Sequence, residues 1–205
     1  MKQYFLSNSQ QSTRMFRNNL MERLSKVHFY VPLLIYVPLI IYLLFKAFNG
    51  LSGHVEKILL WFVFGFFVWT LTEYLLHRYV FHFYPESKWG KRIHFIFHGV
   101  HHDYPNDAKR LVMPPSASIP LALIFYLIFS LFLKGATLYA FFAGFMLGYL
   151  FYDMVHYALH HLNFKHSFWK KLKAQHMRHH YADPSKGFGV SWKIWDKVFG
   201  SDFRK

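Results

Sequence analysis

Four apolar runs set the pattern of the chain. Residues 29–48 form the first and carry Pro32 and Pro38; residues 58–76, almost wholly apolar, form the second. Residues 118–133 and 136–155 follow as a pair joined at Lys134-Gly135. A helix of about 20 residues crosses a hydrocarbon core of roughly 30 Å. The pattern therefore predicts about four transmembrane helices in two hairpins, 29–76 and 118–155. Prolines are tolerated in such helices where neighbours satisfy the freed carbonyls. The 118–133 run is slightly short, which leaves a tilted or re-entrant element open. Polar sequence fills the rest: an arm over 1–28, a connection over 77–117 and a tail over 156–205. The expected fold is an all-α integral membrane protein with a single domain, 1–205, capped at one end by helices from the polar segments.

Within the arm, Phe16, Leu20, Leu24 and Val27 recur at three- and four-residue spacing among Arg14, Arg17, Arg23 and Lys26. This predicts a basic amphipathic helix over 10–27, lying on a membrane surface or packed against the protein. The arm lacks the apolar core and small-residue cleavage site of a secretion signal.

Basic residues fix an expected orientation. Lys46, Lys57 and Lys134 lie in the predicted outer loops, and the other twenty-one of 24 lysines and arginines lie in the arm, the connection and the tail. By the positive-inside rule those three segments are cytoplasmic. The net charge of +14 then fits anionic lipid better than nucleic acid, because the charges flank apolar runs. With no cysteine, disulfides, thiolate zinc sites and cysteine-ligated iron–sulfur clusters are excluded.

The polar segments carry the chemistry. Ten of 15 histidines fall into four clusters: His77 and His82; His98, His101 and His102; His156 and His160; His176, His179 and His180. Residues three or four apart share a helix face, so three clusters converge naturally. His77 and His82 are five apart and join one site only if the helix ends, bends or bulges between them. Ten imidazoles are too many for one metal of ordinary coordination number, and a nitrogen-only set suits iron, zinc or copper. The expectation is a dinuclear histidine site in a cytoplasmic helical cap. His28 and His54 read as interfacial and His166 as a loop residue, and His94 and His161 stay outside the ligand set.

The clusters, in this order and spacing, resemble the membrane fatty acid hydroxylase/sterol desaturase superfamily. The segments His77-Arg78-Tyr79-Val80-Phe81-His82, Phe97-His98-Gly99-Val100-His101-His102, Arg110-Leu111-Val112-Met113-Pro114-Pro115, Tyr152-Asp153-Met154-Val155-His156-Tyr157, Gly187-Phe188-Gly189-Val190 and Trp195-Asp196-Lys197-Val198-Phe199-Gly200 are similar to fatty acid 2-hydroxylases over roughly residues 60–200. The resemblance implies a non-haem di-iron centre held by all ten clustered histidines, with O2 as co-substrate and hydroxylation at C2 of a lipid acyl chain. Zinc can replace iron in purified protein, since both accept imidazole. Many eukaryotic relatives carry a cytochrome b5 domain with a His-Pro-Gly-Gly segment, which this sequence lacks. Electrons are then expected from a separate carrier, such as a cytochrome b5-like protein or a ferredoxin, docking on the basic face.

Two further residues enter as candidate catalytic groups. Asp153, one turn before His156, is placed to accept a ring N–H from a ligand histidine or to sit as a carboxylate at a wet helix end. Tyr152 is placed to line the substrate path or to stand in the interfacial belt. Asp103 and Asp183, each following a His-His pair, are weaker candidates for the Asp153 role. Ala140, Gly144 and Gly148 form a small-residue stripe that serves either close helix packing or an acyl groove. A sterol or carotenoid hydroxylase or desaturase of the same superfamily and a histidine-rich metal-binding membrane protein are the competing expectations.

Overall fold

The computed structural model describes residues 5–203, which are helical with connecting loops. Its helices are α1 (Asn19–Leu24), α2 (Val31–Gly50), α3 (Val55–Leu75), α4 (Lys88–His94), α5 (Val100–Asp103), α6 (Pro115–Ser130), α7 (Gly135–His161), α8 (Ser167–Tyr181) and α9 (Ile194–Val198). Two π-helical turns, Leu76–Phe81 and Phe95–Gly99, extend α3 and join α4 to α5. Three stretches are long and apolar enough to cross a membrane: Val31–Gly50, Val55–Phe81 and Gly135–His161. The shorter Pro115–Ser130 is apolar as well.

Helix α7 is the axis of the molecule, packed between α2 and α3 with Ala140, Ala143 and Leu159 fully buried. The small-residue stripe explains the closeness. A Cβ on Gly144 would fall 1.8 Å from the Phe62 carbonyl oxygen, and one on Gly148 would fall 2.6 Å from the Trp69 Cβ. Gly65 meets the Phe141 carbonyl in the same way. The stripe is therefore backbone contact between α3 and α7, and the alternative of an acyl groove along Gly144 and Gly148 is corrected. Tyr36 on α2 donates to the Ser118 Oγ on α6 over 2.7 Å, tying the fourth apolar helix to the bundle.

At about 1.5 Å per residue, the 27 residues of α7 run to about 40 Å. That exceeds a hydrocarbon core, so its last turns, bearing His156 and His160, reach the cap.

The arm departs from expectation. Only six residues, Asn19–Leu24, are helical, and residues 12–16 run without helix toward the cap. The cause is local competition for backbone groups. The Asn18 side chain caps the helix by accepting from the Leu20 and Met21 N–H groups. Glu22 accepts from the Met15 and Phe16 N–H groups at 2.9 and 3.0 Å. Arg110 completes the latch, donating to Glu22 at 2.8 Å and to the Thr13 carbonyl at 2.5 Å. The arm is a strap across the cap, and Leu20 and Leu24 stay exposed on it.

Candidate metal centre

Each histidine cluster is delivered by a defined local structure. His77 and His82 bracket the π-helical turn, and the His82 N–H bonds to the His77 carbonyl five residues back, at 3.1 Å. The i→i+5 pattern brings residues five apart into register, which supplies the bulge this pair requires. A second π turn carries His98 into α5 with His101 and His102. The end of α7 presents His156 and His160, and the last turns of α8 present His176, His179 and His180.

All ten rings meet in two adjacent groups of five. One group is His77, His82, His98, His102 and His179; the other is His101, His156, His160, His176 and His180. Within each group, one nitrogen per ring lies within 4.8 Å of every other. The grouping divides the triads. His98 and His102, four apart, serve one group while His101 turns to the other; His176 and His180 pair likewise, and His179 departs. The rings of His102 and His180 stack at 4.3 Å between centroids, so the groups abut.

The nitrogens have the spacing that a metal demands. Nε2 atoms approach at 3.1 Å for His77–His98 and His98–His82, and at 3.0 Å for His179–His82. In the other group they approach at 2.9 Å for His156–His101 and His160–His176, and at 3.2 Å for His180–His176. Adjacent ligands at right angles, each about 2.1 Å from one ion, stand about 3.0 Å apart.

Tautomers reinforce the fit. The Nδ1–H of His77 donates to the Phe188 carbonyl at 2.5 Å and that of His179 to the Lys186 carbonyl at 2.6 Å. A neutral ring that donates through Nδ1 offers a bare lone pair at Nε2. Burial, reinforced by neighbouring rings, holds His82, His98, His101, His102, His176 and His180 well below the ordinary histidine range. His179 is lowered to about 4, mainly by burial, against the opposing pull of the Lys186 carbonyl and Asp183. Ten neutral imidazoles with converging lone pairs and no carboxylate form a site for transition-metal cations. The residues present fit two such ions.

The remaining histidines lie elsewhere. His94 packs on Tyr84, His161 stacks on Tyr157, His28 lies between Phe29 and Tyr30, His54 pairs with Glu56, and His166 caps α8.

Asp153 does not hold a histidine. One of its carboxyl oxygens accepts the Met113 N–H at 3.4 Å, and the Tyr149 hydroxyl, likewise buried, lies beside the carboxyl group. Asp183 bonds to Ser185 and Lys186 instead. The partners of the ligand rings are main-chain carbonyls, which side-chain identities do not announce. Their only sequence signal is the closely spaced Gly187 and Gly189 around Phe188.

Beside the histidines lies an apolar cavity of about 260 Å³ that reaches His98, His101 and His156. Tyr152 and Asp153 stand in its wall, and Met15, Phe16, Met21 and Leu24 of the strap line its outer side. Tyr152 stacks on His156 at 5.6 Å. A second apolar space of about 630 Å³ runs between the first π turn, α4 and α6. The two share a wall of Phe81, Phe97, Met113, Ser116 and Ala117, and exposed Val80, Phe83, Ile93 and Ile124 border the second.

A family model described as fatty acid hydroxylase matches residues 62–201. The dihydroceramide fatty acyl 2-hydroxylase FAH2 of Arabidopsis thaliana is 37% identical over 189 residues, covering 92% of this chain and 79% of the relative. The fatty acid 2-hydroxylase of Homo sapiens is 38% identical over 206 residues, covering 91% of this chain and 55% of the relative. Another Arabidopsis relative, dihydroceramide fatty acyl 2-hydroxylase FAH1, is 45% identical over 68% of this chain and 59% of its own length. This chain thus spans little more than half of several curated relatives. A solved structure of full-length scs7p, in which only the hydroxylase domain is visible, superposes with a TM-score of 0.85 at 39% identity. It covers 91% of this chain and 70% of that one.

Proposed function

This chain belongs to the fatty acid hydroxylase family, and on that premise we propose that it hydroxylates C2 of the acyl chain of a ceramide-like membrane lipid. The observation that carries the reading is an apolar cavity whose wall includes the metal-ligand candidates His98, His101 and His156. The balanced reaction joins an acyl C2–H, O2, two electrons and two protons to give the 2-hydroxyacyl group and water. Two iron ions, held by the ten clustered histidines, would supply the O2 activation and C–H oxidation. A separate carrier, cytochrome b5-like or ferredoxin-like, supplies the electrons to the basic cap, which faces the cytoplasm of a multi-pass protein.

The chain's own residues place the substrate. The cavity takes the segment around C2 and excludes water with Val100, Leu111, Val112 and the strap. The acyl tail runs past Phe97 and Met113 into the second apolar space and on to the bilayer. Asp153 and Tyr152 hold the linkage next to C2. The buried Asp153 carboxyl group, in the cavity wall, accepts an amide N–H, which a ceramide offers beside its carbonyl and an ester or free acid does not. Tyr152, anchored against His156, presents its hydroxyl to the acyl carbonyl.

Expression in a host free of 2-hydroxylated lipids, followed by mass spectrometry of the lipid extract, tests the assignment. New 2-hydroxyacyl sphingolipid that disappears with His156→Ala is the expected result. Absence of hydroxylated lipid from iron-replete, aerobic cells with a reducing carrier present would overturn it.

A further inference from the structure

The Gly-Phe-Gly-Val and Trp-Asp-Lys-Val-Phe-Gly segments mark the family resemblance, yet neither contributes a histidine. Their geometry assigns them a task. Asp196, fully buried on α9, holds the loop over 187–191 from beneath. Its Oδ1 accepts the Phe188 N–H and the Ser201 hydroxyl, both at 2.8 Å. Its Oδ2 accepts the Gly189 N–H and the Gln175 side-chain N–H, both at 2.9 Å. From α3, Glu73 Oε1 accepts the Val190 and Ser191 N–H groups at 2.9 and 2.8 Å, and Oε2 accepts the Ser191 hydroxyl.

Two buried carboxyl groups thus consume four consecutive main-chain N–H groups of one loop. Gly189 is required there, since a Cβ would fall 2.4 Å from the Trp192 carbonyl oxygen and 2.9 Å from Asp196 Oδ2. The same loop turns its carbonyls the other way: Phe188 accepts from His77, and Lys186, at the loop's start, accepts from His179. Both rings belong to the same group of five. The Nδ1 atoms of His82, in the same group, and of His101, His156, His160, His176 and His180, in the other, make no such close bond among the described residues, with the Leu111 and Pro105 main chain beside His156 and His160. Among the described residues, close main-chain anchoring of this kind, at 2.5 and 2.6 Å, is made by His77 and His179.

We propose that Asp196 and Glu73 are positioning residues for one metal of the pair, acting through the 186–191 loop to fix the rings of His77 and His179. The two metal positions are thereby inequivalent: the anchored group releases its ion slowly, and the other exchanges it more readily. A donated ring N–H both orients a ligand histidine and raises its basicity, and losing such a partner typically weakens metal binding by about 10–100-fold. Gln175 extends the control, because it ties Asp196 to the helix that bears His179. The inference rests on the reading that both histidine groups hold metal.

Purified full-length protein in nanodiscs, loaded with iron or with cobalt(II) as a spectroscopic probe, gives the test. Wild type is expected to bind two ions per chain and to lose them to a chelator in two phases. In Asp196→Asn, the slow phase should accelerate by about 10–100-fold and merge with or overtake the fast one. The ligand-field bands of one cobalt population should shift while those of the other stay. Ser201→Ala removes one hydrogen bond from Asp196 while leaving the loop's own donors, and provides a milder variant expected to give a smaller change of the same kind. A purely structural role would lower the melting temperature and release both ions together, which would overturn the proposal. So would wild-type release in a single phase, or an unchanged slow phase in both variants. Wild-type protein that binds no metal would overturn the dinuclear reading as well, and so separates the two failures.

Discussion

Asp153 brings a buried carboxyl group to the wall of the cavity beside the histidines. Desolvating an acceptor and leaving it unpaired is costly unless a bound molecule completes the bond. On the proposed function, the residue serves substrate recognition. Replacing it with alanine should lower kcat/KM on an acyl amide by about 3–10-fold, the cost of one hydrogen bond, with two ions still bound per chain. Comparing turnover with metal content checks this, and parallel loss of both would instead place Asp153 in the support of the metals. Sequence spacing is enough to identify the ten ring-bearing positions, because clustered histidines are rare without a cation to share. It does not divide them. The split of His98 and His102 from His101, and of His176 and His180 from His179, follows from helical rotation combined with what faces each side of the helix. Only the packed structure supplies the second part. For the same reason the surroundings of Asp153 are not legible in the sequence: a side chain's direction depends on the neighbour that fills the space opposite.

Single elements repeat this division. The long helices follow from apolar runs, and their ends shift by a few residues, as with 118–133 against Pro115–Ser130. The His77–His82 interval demands an irregularity, and a π turn provides it. The arm misleads, because its helical periodicity meets stronger local competitors in Asn18, Glu22 and Arg110. Glu22 is the centre of that latch. Burial alone would raise its carboxyl, but Lys26, the Phe16 and Met15 N–H groups and Arg110 outweigh burial and bring it down to about 2. A carboxyl depressed in the folded state stabilises it fully above the ordinary value of 4.5 and loses that effect as pH falls toward 2. The strap should stay latched at neutral pH and loosen only across that acid window. Glu22→Gln should imitate the acid state at pH 7, speeding amide hydrogen exchange at Met15 and Phe16 by about tenfold or more. Unchanged exchange at those two amides would show that Arg110 and the main chain hold the strap without the carboxylate.

At the scale of the whole molecule, one asymmetry organises everything else. Twenty-one of 24 basic residues lie in the histidine-bearing arm, connection and tail of the sequence, and Lys46, Lys57 and Lys134 make up the rest. On the proposed function, a field of that sign keeps this end on the cytoplasmic side and favours an acidic electron carrier. In the same proposal the acyl substrate enters within the bilayer, through the apolar space beside α6, so that lipid and electrons would approach from different directions. Orientation is open to direct measurement because the chain has no cysteine. A single cysteine introduced at Lys134 should react in intact cells with a membrane-impermeant maleimide. One introduced at Lys88, exposed on α4, should react only after permeabilisation. The reverse labelling would put the histidine end outside and remove the basic face as a docking surface for a cytoplasmic carrier. Equal labelling of both positions in intact cells would mean that the charge asymmetry does not fix a single topology.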